Sequence, residues 1–183
     1  MQPGDVVLVS GTIADHGMAV MLARGDLALE ADIRSDTAPV GQLVDALLDA
    51  APGTRWLRDP TAARSARCAN ELARDSNLAV VLDETLLPVD PAVTGACDLL
   101  GIDPLYVANE GKVVAVVAGR RGGCGAGRHA VATRSAPGAT RIGEIAADPP
   151  GIVVLLTIVR RDPHRRHARR RPAAPDLLMA VRR

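Results

Sequence analysis

Aromatic side chains are nearly missing from these 183 residues: there is no Phe, and Trp56 and Tyr106 stand alone. Proteins that hold single strands of nucleic acid by base stacking need aromatic platforms, so that class is excluded. Lysine is almost missing too, for 21 of the 22 basic residues are Arg and the remaining one is Lys112. Cysteine is sparse. Cys68, Cys97 and Cys124 are scattered, without the spacing of a metal knuckle or a disulfide framework. No run approaches ~18 apolar residues, which argues against a membrane-spanning helix. The opening MQPGDVVLVSG has neither the basic region nor the cleavage site of a signal peptide. Together these absences point to a reduced, cytoplasmic protein with no membrane partner. What is present is aliphatic: 48% of residues are apolar, enough for one domain with a sizeable core at this length.

The net charge of +1 hides a split. Residues 1–118 carry 17 acids and 8 bases, net −9, and residues 119–183 carry 4 acids and 14 bases, net +10. Such asymmetry is what a basic arm for nucleic acid would show, and also what two halves shaped by different selection would show.

Residues 1–118 read as ordinary folded chain. Asp5–Val9 is an apolar run bounded by Pro3-Gly4 and Ser10-Gly11, the pattern of a buried strand. Asp15 is placed to cap a helix carrying Met18, Met21 and Leu22. Val40, Leu43, Val44, Leu47 and Leu48 recur at helical spacing and are stopped by Pro52-Gly53. Arg55–Leu57 predicts a short strand, 62–74 a weaker helix, and Leu78–Leu82 a strand. Val93, Ala96, Cys97 and Leu100 predict an amphipathic helix ended by Gly101, with Cys97 in its core face. Lys112–Val117, Thr140–Ala146 and Ile152–Leu156 predict further strands. Residues 119–138 show neither period, and the tail from Arg160, RRDPHRRHARRRPAAPDLLMAVRR, is too basic to build a core. Mixed short strands and helices without strict alternation predict an α+β fold, a mixed β-sheet with packed helices. The domain is expected over 1–157, with 119–138 aberrant or loop. An irregular, disordered, Arg-rich tail is expected over 158–183.

Four constellations carry chemistry, each with a plainer alternative. Ser10–Gly17, SGTIADHG, joins a strand to a helix and can offer backbone N–H groups to an anion, with His16 moving a proton; the plainer reading, which spacing alone favours, is a tight turn with an Asp cap and an exposed His. Arg58–Thr61, RDPT, sets a carboxylate and a hydroxyl two apart at a strand end. That suits Mg²⁺ or phosphate, or else Asp59 caps the next helix with Pro60 at its first position. Ala108–Lys112, ANEGK, offers Glu110 as a general base oriented by Asn109, or a polar turn with Gly111 at positive φ. The seven Arg of Arg160–Arg171 can contact phosphates or form a solvated tail.

In order and spacing, PGDVVLVSGTIADHGMAV, LRDPT, ARDSNLAVVLDETLLPV, ACDLLGIDPLYVANEGKVVAVV and RIGEI resemble the C-terminal half of HypE, the hydrogenase expression/formation family. Its superfamily includes aminoimidazole ribonucleotide synthetase, selenophosphate synthetase and thiamine-monophosphate kinase. The resemblance covers 1–118 well and 139–157 more loosely. It implies a PurM-like C-terminal domain and a part in [NiFe] hydrogenase maturation as a carbamoyl dehydratase. In that family ATP and Mg²⁺ serve to dehydrate a C-terminal cysteine thiocarboxamide to a thiocyanate. The carbamoyl group comes from a HypF-type carbamoyltransferase, and the cyanide goes to iron on a HypC–HypD scaffold. The resemblance makes Glu110 the base, with Asn109 beside it. It sets Asp59 and Thr61 on the nucleotide side as the family's DPT, and Asp15, His16 and Gly17 as its GDHG loop.

Departures from the family pattern set further expectations. Ala14 stands where GDHG has glycine, and Ala62-Ala63-Arg64 follows DPT where the family has a glycine-bearing loop. The end, Val181-Arg182-Arg183, carries no cysteine, and the family's N-terminal ATP domain is not among these residues. The expectation is a truncated form, inactive alone, with no dimer implied because the family pairs mainly through the other domain. Two rivals are a split enzyme completed by another chain and a basic-tailed nucleic-acid binder. Segments 62–68, 119–138 and 160–183 have the Arg-, Ala-, Gly- and Pro-rich character of a GC-rich gene read out of frame.

Overall fold

The computed structural model describes residues 1–25, 31–60, 64–119 and 138–157, with Arg64 and 177–181 as backbone alone. In chain order the elements are β1 (Val6–Val9), α1 (Asp15–Ala23), α2 (Gly41–Ala50), β2 (Thr54–Arg58), α3 (Arg64–Ser76) and β3 (Ala79–Asp83). They continue with α4 (Pro91–Leu100), β4 (Val114–Val117), β5 (Thr140–Ala146), β6 (Val153–Thr157) and β7 (Leu177–Val181). One-turn 3-10 helices cover Glu84–Leu86 and Pro104–Tyr106. Among the described residues, seven strands form one sheet in the order β2-β4-β1-β5-β3-β6-β7. The pairs up to β3 are antiparallel, and β3–β6 and β6–β7 are parallel. The architecture is thus the mixed-sheet α+β fold that the short alternating elements imply.

Strand β1 lies inside the sheet and is buried along its whole length. Side chains alternate across a strand, so its four residues serve two cores. Val7 and Val9, with Val114 and Val116 of β4, pack against Ala66, Ala69, Leu72 and Ala73 of α3. Val6 and Leu8, with Ala115 and Val117, pack against Leu47 of α2. Each fully buried Val or Leu contributes roughly 1.5–3 kcal/mol relative to exposure, so the continuous apolar runs of β1 and β4 are what a sheet covered on both faces requires. A third cluster joins Met18 of α1 to Val93, Ala96 and Cys97 of α4. Helix α4 begins where Asp90 accepts from the Ala92 amide at 2.7 Å, has Pro91 in its first turn, and ends on Gly101 at φ 68°.

Two expectations are corrected, for Asp15 and for the tail. Asp15 does not cap α1: the residue at the cap is Ala14, at φ 77°, and Asp15 is the first helical residue. The helix expected over 62–74 is α3, and Ala66 and Cys68 are buried in its first turns. The tail is not wholly irregular, because Leu177–Val181 pairs in parallel with β6. The Arg content of the tail masked this five-residue apolar run, which is long enough for an edge strand. Residues 120–137, including Cys124, and the Arg160–Arg171 run lie outside the described residues.

Candidate active site

Segments far apart in sequence meet at the turn before β4. Ser10, at the end of β1, bonds residue 113 twice: its amide donates to the Val113 carbonyl at 3.1 Å, and its Oγ accepts from the Val113 amide at 2.9 Å. Glu110 is thereby tied to the sheet three residues downstream. Asn109 is completely buried and its amide group is fully engaged. Oδ1 accepts from the Ala14 amide at 2.8 Å, and Nδ2 donates to Ser65 Oγ at 3.1 Å and to the Val107 carbonyl at 3.2 Å. One side chain therefore joins the start of α1, the first turn of α3 and its own loop. A side chain so enclosed is held in one position by all three.

Gly17 belongs to the same junction. Its amide donates to the Ala108 carbonyl at 3.0 Å. A Cβ there would stand 2.5 Å from Val107 Cγ1 and 2.9 Å from the Ala108 amide nitrogen, so only glycine lets α1 approach this closely. These bonds also decide what the Ser10–Gly17 loop can offer. Ile13, Ala14 and Gly17 direct their N–H groups to Pro88, Asn109 and Ala108, so those donors are not available to an anion.

The charged half of the site lies on the other side of Glu110. Lys112 is buried and faces the carboxylates of Asp15, 3.8 Å away, and Asp36, in closer contact. Burial pushes the Lys112 ammonium below its ordinary value, and Asp15 opposes that shift. Gly111 takes φ 60°, as a turn glycine should, and lies directly under the Asp36 carbonyl and the Ala38 amide. His16 is half-buried, with Nδ1 2.8 Å from Ser35 Oγ and 3.4 Å from Thr37 Oγ1. Glu110 is half-buried on this turn, between the two buried side chains.

The structure thus brings Asp15, His16, Gly17, Asn109 and Glu110 together. Asp59 is exposed at the end of β2, and its carbonyl is 4.0 Å from Cys68 Sγ. Burial, and then the nearby Glu71, push the Cys68 thiol up. Thr61 lies outside the described residues. Sequence reasoning missed Lys112, Asp36 and Ser65. That Lys112 is the sole lysine was a signal for the first; nothing local marked the other two. No group of three His, Cys, Asp or Glu among the described residues could hold a metal ion. No helix among them is long and apolar enough to cross a membrane.

A twisted mixed sheet with α3 on one face and α2 on the other, carrying a strand–loop–helix clamped to a buried Asn, defines a class. Residues 2–155 match the family described as AIR synthase related protein, C-terminal domain, and the chain belongs to it. Within that class the match is to the C-terminal half of HypE. Carbamoyl dehydratase HypE of Cupriavidus necator is 44% identical over 159 residues, covering 85% of this chain and 44% of that protein. The HypE of a solved HypE–HypF complex superimposes with a TM-score of 0.74 at 38% identity, covering 86% of this chain and 50% of that one. A HypE solved in complex with ATP gives 0.71 at 35% identity, covering 84% and 48%. The chain spans about half the length of these relatives.

Proposed function

We propose that these residues are the catalytic-base domain of a HypE-type carbamoyl dehydratase of [NiFe] hydrogenase maturation. The observation that carries this is the rigid placement of Glu110. A general base must be held within hydrogen-bond reach of its proton, on a turn that does not drift. Here the residues on either side of the turn are anchored in buried surroundings. In this reading the Glu110 carboxylate takes the N–H proton of a cysteine-borne thiocarboxamide whose oxygen, phosphorylated from ATP, leaves as phosphate, so the carbon–oxygen bond breaks as the thiocyanate forms. The described residues do not by themselves fit a magnesium–triphosphate site, since no group of three His, Cys, Asp or Glu among them could hold a metal ion and Asp15 is paired with Lys112. The part of the reaction assigned to this chain is therefore proton removal. A HypF-type carbamoyltransferase as donor and a HypC–HypD scaffold as acceptor belong to the same reading. So does inactivity of the 183-residue chain on its own.

The test supplies the remaining part of a HypE relative, including a carbamoylated C-terminal cysteine. ATP-dependent thiocyanate formation should arise with this domain in place. Glu110→Gln keeps the shape, removes the charge, and should lower the rate by at least about a hundredfold. A Gln variant with the parental rate would leave Glu110 as a turn residue only. Dehydratase turnover by the 183-residue chain alone would refute the inactivity.

A further inference from the structure

Lys112 places the chain's sole ammonium side chain where only 3% of it is exposed. A buried cation requires partners, and these come from two different segments. Asp15 belongs to the first turn of α1, whereas Asp36 belongs to the irregular stretch 31–40. That stretch has little else to hold it. Ile33 is half-buried against the α1–α4 cluster, but Arg34, Ser35, Thr37 and Ala38 are exposed. A segment with few buried contacts opens readily unless specific bonds restrain it. Its restraints converge on one place. Asp36 meets Lys112, Ser35 and Thr37 meet His16, and the backbone at Asp36 and Ala38 rests on Gly111 without room for a Cβ.

We infer that Lys112 is a positioning residue, which through Asp36 fastens residues 35–38 as a strap across the Glu110–Gly111 turn and through Asp15 fixes the same turn to α1. The strap rests on Gly111, and Asn109 ties the residue before Glu110 to α1 and α3. The consequence for catalysis rests on Glu110 being the base; the strap itself does not.

Limited trypsin digestion with mass spectrometry reads the strap at Arg34, and amide hydrogen exchange reads the turn at Gly111. Asp36→Asn removes the charge facing Lys112 and keeps the shape. Cleavage after Arg34 and exchange at Gly111 should each quicken about fivefold, as loss of a partly exposed pair implies, with cleavage after Arg74 on α3 unchanged. Asp36→Glu restores the charge and should recover most of the protection, and Lys112→Met should act like Asp36→Asn. Parental behaviour of Asp36→Asn at both positions overturns the proposal. So does equal quickening at Arg34 and Arg74, which would mean general loosening, and so does an Asp36→Glu variant as fast as Asp36→Asn. If Lys112→Met does not fold, the Asp36 pair still decides. Both readings report protection and not turnover, so failure of the base assignment and failure of the strap are seen in separate experiments.

Discussion

Asn109 and Lys112 lie on either side of Glu110, both buried, yet their surroundings differ in kind. Asn109 is neutral and satisfied by groups with fixed positions: a backbone amide at the start of α1, a hydroxyl on α3 and its own loop carbonyl. Lys112 is basic and faces two carboxylates, one on a helix and one on an irregular segment. An amide can be paired by backbone, which every element supplies at its ends. A buried ammonium needs opposite charge, and here half of that charge comes from a loop with little packing of its own. The neutral anchor therefore welds rigid elements together, while the charged one recruits a movable piece. A site that must be rigid below and accessible above can use both.

The largest effect expected from breaking this comparison is at the neutral anchor. Asn109→Ala leaves the buried Ala14 amide without its acceptor and Ser65 without its donor, and should destabilise the domain by about 3 kcal/mol. Urea denaturation measures this, and a loss below ~1 kcal/mol would show that water replaces the side chain easily. Lys112→Met comes next. It leaves two carboxylates facing each other, but Asp36 is 28% exposed and can turn to solvent. The loss should be about 2 kcal/mol, less than for a fully enclosed pair. A larger loss than for Asn109→Ala would invert the ranking of the two anchors. The smallest effect has the opposite sign. Ala14 holds φ 77° at the cap of α1, a conformation that costs an L-residue roughly 1–2 kcal/mol. Ala14→Gly relieves that and should raise stability by about 1 kcal/mol after glycine's own entropy loss, provided the Asn109 bond keeps the amide in place. If the same denaturation shows the Ala14→Gly variant to be less stable than the parent, the buried Ala14 methyl contributes more packing than the backbone strain costs.

Much of the fold was legible because it is written locally. The 3.6 period of Val40–Leu48 became α2, the run Val114–Val117 became β4, and Gly101 and Gly111 took the positive φ that their turns required. Asp15 was misread for a specific reason. A cap assignment scores the neighbours in sequence, whereas the Asp15 carboxylate found a stronger partner in Lys112, nearly a hundred residues on. Leu177–Val181 was missed because its pairing partner, β6, is visible only in the folded sheet.

By itself the sequence determined most strands and helices, β7 excepted, and that Gly111 belongs to a turn. Those follow from side-chain periodicity and backbone preference, which act over a few residues. Tertiary structure alone decided that Asn109 joins α1 and α3 to its own loop, that Asp15 answers a lysine rather than a helix end, and that residues 36–38 lie against Gly111. The partners in those contacts are separated by up to 97 residues, the span from Asp15 to Lys112. Burial decides their energies, because only inside the fold does an unpaired amide or ammonium become expensive enough to choose its neighbour.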